Sequence, residues 1–301
     1  MNYTKPALTV EQQADQLLHR GLLADRARLI ETLSRVSYCR LTAYWHPFAR
    51  PDDTFAPGTS FDKIWRRYTF DRQLRLLVMD AVERVEVAVL RTLMVEQHAR
   101  QYGPFGYRDA RSFRPEFAGD SHRRMVEEID RETSRSREPF VAQFLTQYAS
   151  EPGLPLWMPA EIASYGILFT FYRHLNLAEQ KQLATRLALP AGVLQSWLFC
   201  LNYIRNICAH HARLWNRELA IRPLVPDAKK QPDWHRPVTP DNRRTFAVLT
   251  LLRWLLLEIA PNSRWAERLR QLLADYPEIP QPLMGFPTGW ETSPIWTDKS
   301  K

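Results

Sequence analysis

Leu201-Asn202-Tyr203-Ile204-Arg205-Asn206-Ile207-Cys208-Ala209-His210-His211-Ala212-Arg213 is the centre of a longer stretch, Val193 to Arg217, that holds no proline and no glycine. That absence predicts a helix of several turns. At about 100° per residue, Leu194, Trp197, Leu201, Ile204, Ile207 and Cys208 fall on one broad side. Asn202, Arg205, Asn206, His210, Arg213 and Arg217 fall on the other. His211 lies between Ile204 and Ile207 on this wheel, which predicts a core histidine. One face is thus apolar, and the other combines Arg, Asn and His without a carboxylate. Such a face can hold an anion and move a proton, and it offers no ligand set for a hard metal ion.

Working outward, no stretch shows a convincing strand pattern or an internal repeat, so the expected fold is all-α. Thr9-Val10-Glu11-Gln12 has the pattern of a capping box, and Gly21 stands where that helix would end. A second helix is expected from Asp25. Phe61 to His98 contains no proline or glycine, and Leu74, Leu77, Val78, Ala81, Val85, Ala88 and Val89 recur at helical spacing. This predicts one long amphipathic helix whose solvated face carries Asp80, Glu83, Glu86, Arg91 and His98. Arg114 to Glu138 is expected to be helical and solvated, with another helix after Pro139. Further helices are expected from Pro159 to Leu175, Ala178 to Leu187, Phe246 to Ile259 and Arg264 to Leu273. The tail is proline-rich, yet it holds Leu283, Met284, Phe286, Trp290 and Trp296, so it should lie on the body. The expected organisation is an N-terminal helical segment over 1–58, a helical bundle over 59–275 and a tail over 276–301.

The chain of 301 residues is 45% hydrophobic and 25% charged, ordinary for a water-exposed globular protein large enough to bury a sizeable core. Its net charge of +8 is less ordinary, and only seven of its 41 basic residues are lysine. Arginine's planar fork suits phosphate, although a codon bias toward arginine would give the same count. The basic balance therefore permits a nucleic-acid partner without establishing one. Cys39, Cys200 and Cys208 form no framework and no CxxC pair, which fits a reducing cytoplasm. Cys200 and Cys208 read as buried small residues. No signal peptide opens the chain, and the apolar run Phe246 to Ala260 is interrupted by Arg253 and too short to span a bilayer. The expectation is a cytoplasmic protein without a membrane partner.

Three Arg/His combinations compete as chemistry. Arg40 and His46 straddle an aromatic cluster closed by Pro47, which favours a structural role. Arg91 and His98 share a helix face, but Asp80, Glu83 and Glu86 supply ordinary ion-pair partners there; they stay secondary candidates. Arg205 and His210 have no acid on their face, and Asn206 lies one turn before His210, close enough to orient its ring.

Arg205-Asn206-Ile207-Cys208-Ala209-His210, continued by Trp215-Asn216-Arg217, resembles the hallmark of the Abi-like abortive-infection family (the AbiD/AbiF type), a branch of the HEPN superfamily. Tyr38 to Trp45, Tyr68 to Arg75, Tyr102-Gly103-Pro104-Phe105 and Met284-Gly285-Phe286-Pro287 resemble the same family, with Cys39 where a second tyrosine is common. The resemblance implies a HEPN-like helical bundle, here with additional N-terminal helices. It also implies a metal-independent endoribonuclease of antiphage defence, needing no cofactor and built as a homodimer around two copies of the motif. By that likeness Arg205, Asn206 and His210 are the catalytic set. An imidazole titrates near neutrality and can take the ribose 2′-OH proton or protonate the leaving 5′-oxygen. Arg205 would stabilise the added negative charge, and Asn202, Arg213 and Arg217 would contact RNA. A small structured RNA is associated with relatives as a restraint. The alternative is a non-catalytic RNA-binding or RNA-sensing defence protein.

Overall fold

The computed structural model describes residue 2 and residues 6–297. Among these, thirteen α-helices run in chain order and no strand forms; three isolated bridges are the only β-type pairings. The chain divides into two compact units, residues 1–75 with 270–279, and residues 76–269 with 280–301. Two of the three places where the chain passes between the units, after residues 75 and 269, lie inside helices.

In the first unit, α1 (Val10–His19) begins with the full Thr9/Gln12 capping box and ends at Arg20, with Gly21 at a φ of +89°. Asp25 caps α2 (Arg26–Arg35) and Ser37 caps α3 (Tyr38–Trp45), each accepting from the third backbone N–H of its helix. The first part of α4 (Phe61–Val85) carries Asp71 and Arg75, an ion pair almost without solvent contact. The Tyr44 hydroxyl donates to Asp71 Oδ2 at 2.6 Å, so the buried carboxylate accepts from a hydroxyl as well as from the Arg75 guanidinium. Burial, then the negative charge of Asp71, raises the Tyr44 phenol above its ordinary pKa.

In the second unit the path of α4 continues without a break through a π-helical segment, Glu86–Leu93, into α5 (Met94–Tyr102). The expected long helix therefore exists, but its turn widens in the middle. Wheel angles counted at 3.6 residues per turn fail beyond Val85. His98 is the consequence: expected on a solvated face, it has no solvent exposure. Its Nδ1 is 3.0 Å from Glu179 Oε1, and Glu179 also accepts from Asn176 Nδ2 at 2.7 Å. Asn176 in turn caps α10 (Leu177–Arg186). His98 thus buttresses the start of a helix.

The helix expected from Pro159 to Leu175 is two helices, α8 (Pro159–Ile162) and α9 (Tyr165–His174). Ala163 and Ser164 are extended between them, and Ser164 caps α9 through the Ile167 N–H. Such a break strands carbonyls that have no helical partner. Arg91 supplies one: its guanidinium donates to the Ala160 carbonyl and, at 3.0 Å, to the Ala163 carbonyl, and it pairs with Glu86. The charged segment becomes α6 (Asp120–Arg135), shorter than expected because a 3-10 turn, Pro115–Phe117, occupies its first residues, and Pro139 opens α7 (Pro139–Gln147).

The core of this unit gathers α11 (Ala191–Ala209), α12 (Thr245–Ile259), the start of α13 (Trp265–Asp275) and the tail. Trp197, Trp215, Trp234, Trp265 and Trp296 are all fully buried. In the tail, Met284, Phe286, Trp290 and Trp296 are buried as expected, while Leu283 is exposed. Gly285 has a φ of +88°, and a Cβ on it would lie 2.5 Å from Arg244 Cβ. Glycine is therefore required there twice over. Among the described residues no single helix is long and apolar enough to cross a membrane; α10 and α11 pass that test only as a pair bent by 79°.

Candidate active site

The site is built by the end of α11. Val193, Leu194, Trp197, Leu201, Ile204, Ile207 and Cys208 are buried, so the predicted apolar face is the packed one. α11 lies against α9 and α10. Cys200 sits on the same side; burial pushes its thiol up to about 12, which keeps it a neutral, unreactive packing group. Cys208 is likewise buried and Cys39 exposed.

The helix stops at Ala209, two turns before Arg217. His210 is the C-cap, and His211 takes the left-handed conformation at a φ of +57°. The His211 N–H donates to the Cys208 carbonyl at 3.0 Å and the Ala212 N–H to the Ile207 carbonyl at 2.9 Å. These two bonds define a Schellman cap, with histidine at the position that glycine usually fills. His211 is exposed, contrary to the expected core histidine, because the wheel does not extend past the residue where the helix ends. His210 is exposed as well.

Beyond the cap, Leu214 and Trp215 plunge into the core with no solvent exposure. Thr245 Oγ1 donates to the Leu214 carbonyl at 3.1 Å, and the Leu219 N–H to the Arg243 carbonyl at 2.8 Å. This anchor doubles the chain back. Arg213 and Arg217, no longer helical neighbours, are joined instead by a bond from Arg217 Nε to the Arg213 carbonyl at 2.6 Å. Two cations next to a helix C-terminus also complement its partial negative charge.

Asn202 and Arg205 are partly exposed and Asn206 is exposed, all three at the surface of α11. Arg205 has no carboxylate partner among the described residues. Its Nη1 points at Asn206 Oδ1 from 3.5 Å, a long contact. Asn206 was expected to orient the His210 ring, but the side-chain contact it makes is with Arg205. The link from Asn206 to His210 is through the backbone, His210 N–H to Asn206 carbonyl at 3.0 Å. No group of three or more His, Cys, Asp or Glu that could hold a metal ion occurs among the described residues.

The secondary candidates stand elsewhere. Arg91 is committed to two carbonyls and Glu86, and His98 to Glu179 in the core. Phe199, Arg124 and Arg173, which no motif in the sequence singles out, line a groove of about 500 Å³ together with Asn202. The signal for Phe199 was present: Phe199, Asn202, Asn206 and His210 recur three, four and four residues apart, a single stripe on one helix. Arg124 and Arg173 come from α6 and α9 and carry no local signal. The basic character of this region is felt by His174, whose imidazole is held below its ordinary pKa by burial and then by Arg173 and Arg114.

A family model described as Abi-like protein matches residues 31–216, well over half of the chain. The match takes in the whole of α11, its cap and the buried Trp215. The chain belongs to the Abi-like protein family, and that membership implies a part in abortive-infection defence. No curated protein and no solved structure matches it.

Proposed function

We propose that the chain is a metal-independent endoribonuclease of the HEPN type, the effector of an abortive-infection response in the cytoplasm. One observation carries this reading: Arg205, without a carboxylate partner, and an exposed His210 stand about one turn apart at the surface end of an otherwise buried helix. In the reaction the ribose 2′-oxygen attacks the adjacent phosphorus while an imidazole accepts its proton. The P–O5′ bond breaks as the 5′-oxygen is protonated, leaving a 2′,3′-cyclic phosphate and a 5′-hydroxyl. Arg205 is a fixed cation for the charge that builds on the phosphoryl oxygens, and Asn206 holds its guanidinium or contacts one of those oxygens. Using the 2′-hydroxyl as nucleophile restricts the reaction to RNA. Asn202, Arg213 and Arg217 bind the strand.

One helix end supplies one histidine of this set, whereas the two proton transfers call for a base and an acid. The active form in this reading is a homodimer that brings two helix ends together. A small structured RNA, bound on the same basic surface, would restrain the enzyme until infection. Cleavage of RNA in excess EDTA tests the chemistry: activity is expected to persist and to leave cyclic phosphate and 5′-hydroxyl ends. Activity that needs a divalent ion, or 5′-phosphate ends, would overturn it. RNA that is bound but never cut would favour the sensing role instead.

A further inference from the structure

The groove formed by α6, α9 and α11 shares Asn202 with the strand-binding set above, and the rest of its lining has no part in that mechanism. Phe199 at its wall is 45% exposed, an unusual state for a phenylalanine in the middle of a helix that buries its other large apolar residues. Its ring lies nearly parallel to that of buried Phe169, centroids 5.5 Å apart and planes 16° apart. The ring is thus held flat from behind, with much of its surface left open. Arg124 and Arg173 are exposed in the same lining and form no ion pair with a carboxylate among the described residues; Glu128 is the one acid there. At a rise of about 1.5 Å per residue, Phe199 stands roughly 10 Å along the helix from Asn206 and roughly 16 Å from His210. That is within a few nucleotides of the candidate scissile position, on the same stripe.

We propose that this groove is a stacking subsite for one unpaired base of the RNA strand, with Phe199 receiving the face of the base and Arg124 and Arg173 the neighbouring phosphates. It rests on the ribonuclease reading for its ligand class and adds a selection to it. A flat aromatic ring flanked by uncompensated cations is how proteins hold single-stranded nucleic acid. A paired base is stacked within its own helix and has no face to offer. A second copy of the chain is the less favoured occupant, because a two-fold contact through this groove would set the same arginines against one another with a single acid to offset them.

The test uses the full chain carrying His210→Ala, so that RNA survives, and a short fluorescein-labelled RNA of mixed sequence followed by anisotropy. The strand is used single, annealed to its complement, and with an abasic nucleotide moved along it. The expected result is binding about tenfold tighter for the single strand than for the duplex, and a loss of about tenfold when the abasic unit reaches one window of the strand, the order of a single base–aromatic stack. Phe199→Leu, which keeps apolar volume and loses the ring, should flatten the abasic profile. Joint replacement of Arg124 and Arg173 by Gln should reduce the slope of log affinity against log salt by roughly 1.4, about 0.7 per phosphate. An unchanged abasic profile in Phe199→Leu, equal affinity for duplex, or no RNA binding at all would overturn the proposal. So would a dimer that becomes a monomer with Phe199→Leu in light scattering, which would give the groove to a second copy. Failure of the ribonuclease reading is seen separately, as absence of cleavage by the unsubstituted protein.

Discussion

Replacing His211 isolates the geometry that ends α11. At a φ of +57° a residue with a Cβ meets the following carbonyl, at a cost of roughly 1–2 kcal/mol that glycine escapes. Glycine loses more conformational freedom on folding than alanine, by roughly 0.4–1 kcal/mol. The informative comparison is therefore His211→Gly against His211→Ala. Both remove the imidazole and whatever it touches, so that contribution cancels. The difference left is the left-handed cost less the entropy, about 0.5–1 kcal/mol in favour of glycine. For a chain of this size that is on the order of 2 °C in Tm, readable by circular dichroism with both variants scanned at one rate. Both should retain the cleavage activity of folded protein, since the side chain is exposed and outside the catalytic set. If His211→Ala were as stable as His211→Gly, the Schellman cap would be absent. The helix would then run on and carry His211 to its apolar side.

Gly285→Ala should cost about 1–3 kcal/mol of stability, since it adds a strained φ and a contact with Arg244 Cβ at once; urea unfolding followed by tryptophan fluorescence measures it. His98→Ala should destabilise by about 2–5 kcal/mol, through a cavity and a Glu179 left without its buried donor. The protein that stays folded should cleave normally, and loss of cleavage in that fraction would move the site to α5. Arg205→Lys keeps a cation and loses the planar fork. It should bind RNA nearly as well as the parent and cleave it at least tenfold more slowly, which binding by anisotropy and single-turnover rates would separate.

Much of the helix order could be read along the chain because local signals agree with tertiary demand: the Thr9/Gln12 box, Asp25 as a cap, Pro139 as a first turn and the apolar face of α11. The departures have physical causes that single-residue periodicity does not carry. Residues 86–93 widen to a π-helix, and every angle counted across them shifts, which is why His98 is in the core. Ala163 and Ser164 interrupt a helix without proline, a break made tolerable by Arg91 reaching from a segment about seventy residues earlier. The end of α11 carries no glycine, so nothing in the sequence marks the cap that turns His211 outward. Of the candidate site, Arg205, Asn206, His210 and Asn202 could be read on one face. Arg213 and Arg217 lie beyond the end of that helix, and the burial of Leu214 and Trp215 between them sets their course instead. Arg124 and Arg173 join Asn202 only through the packing of α6, α9 and α11.

The central claim is that His210, at the end of α11, is the proton-transfer group of an RNA-cleaving site. Its most direct test is the rate of RNA cleavage by purified His210→Ala beside His211→Ala, each with its melting temperature. Both histidines are exposed, adjacent and of the same type, so the change in bulk charge is matched and the melting temperatures report any difference in folding. The account predicts that His210→Ala melts near the parent and yields no cyclic-phosphate ends, while His211→Ala cleaves at close to the parent rate. Undiminished cleavage by folded His210→Ala would contradict it.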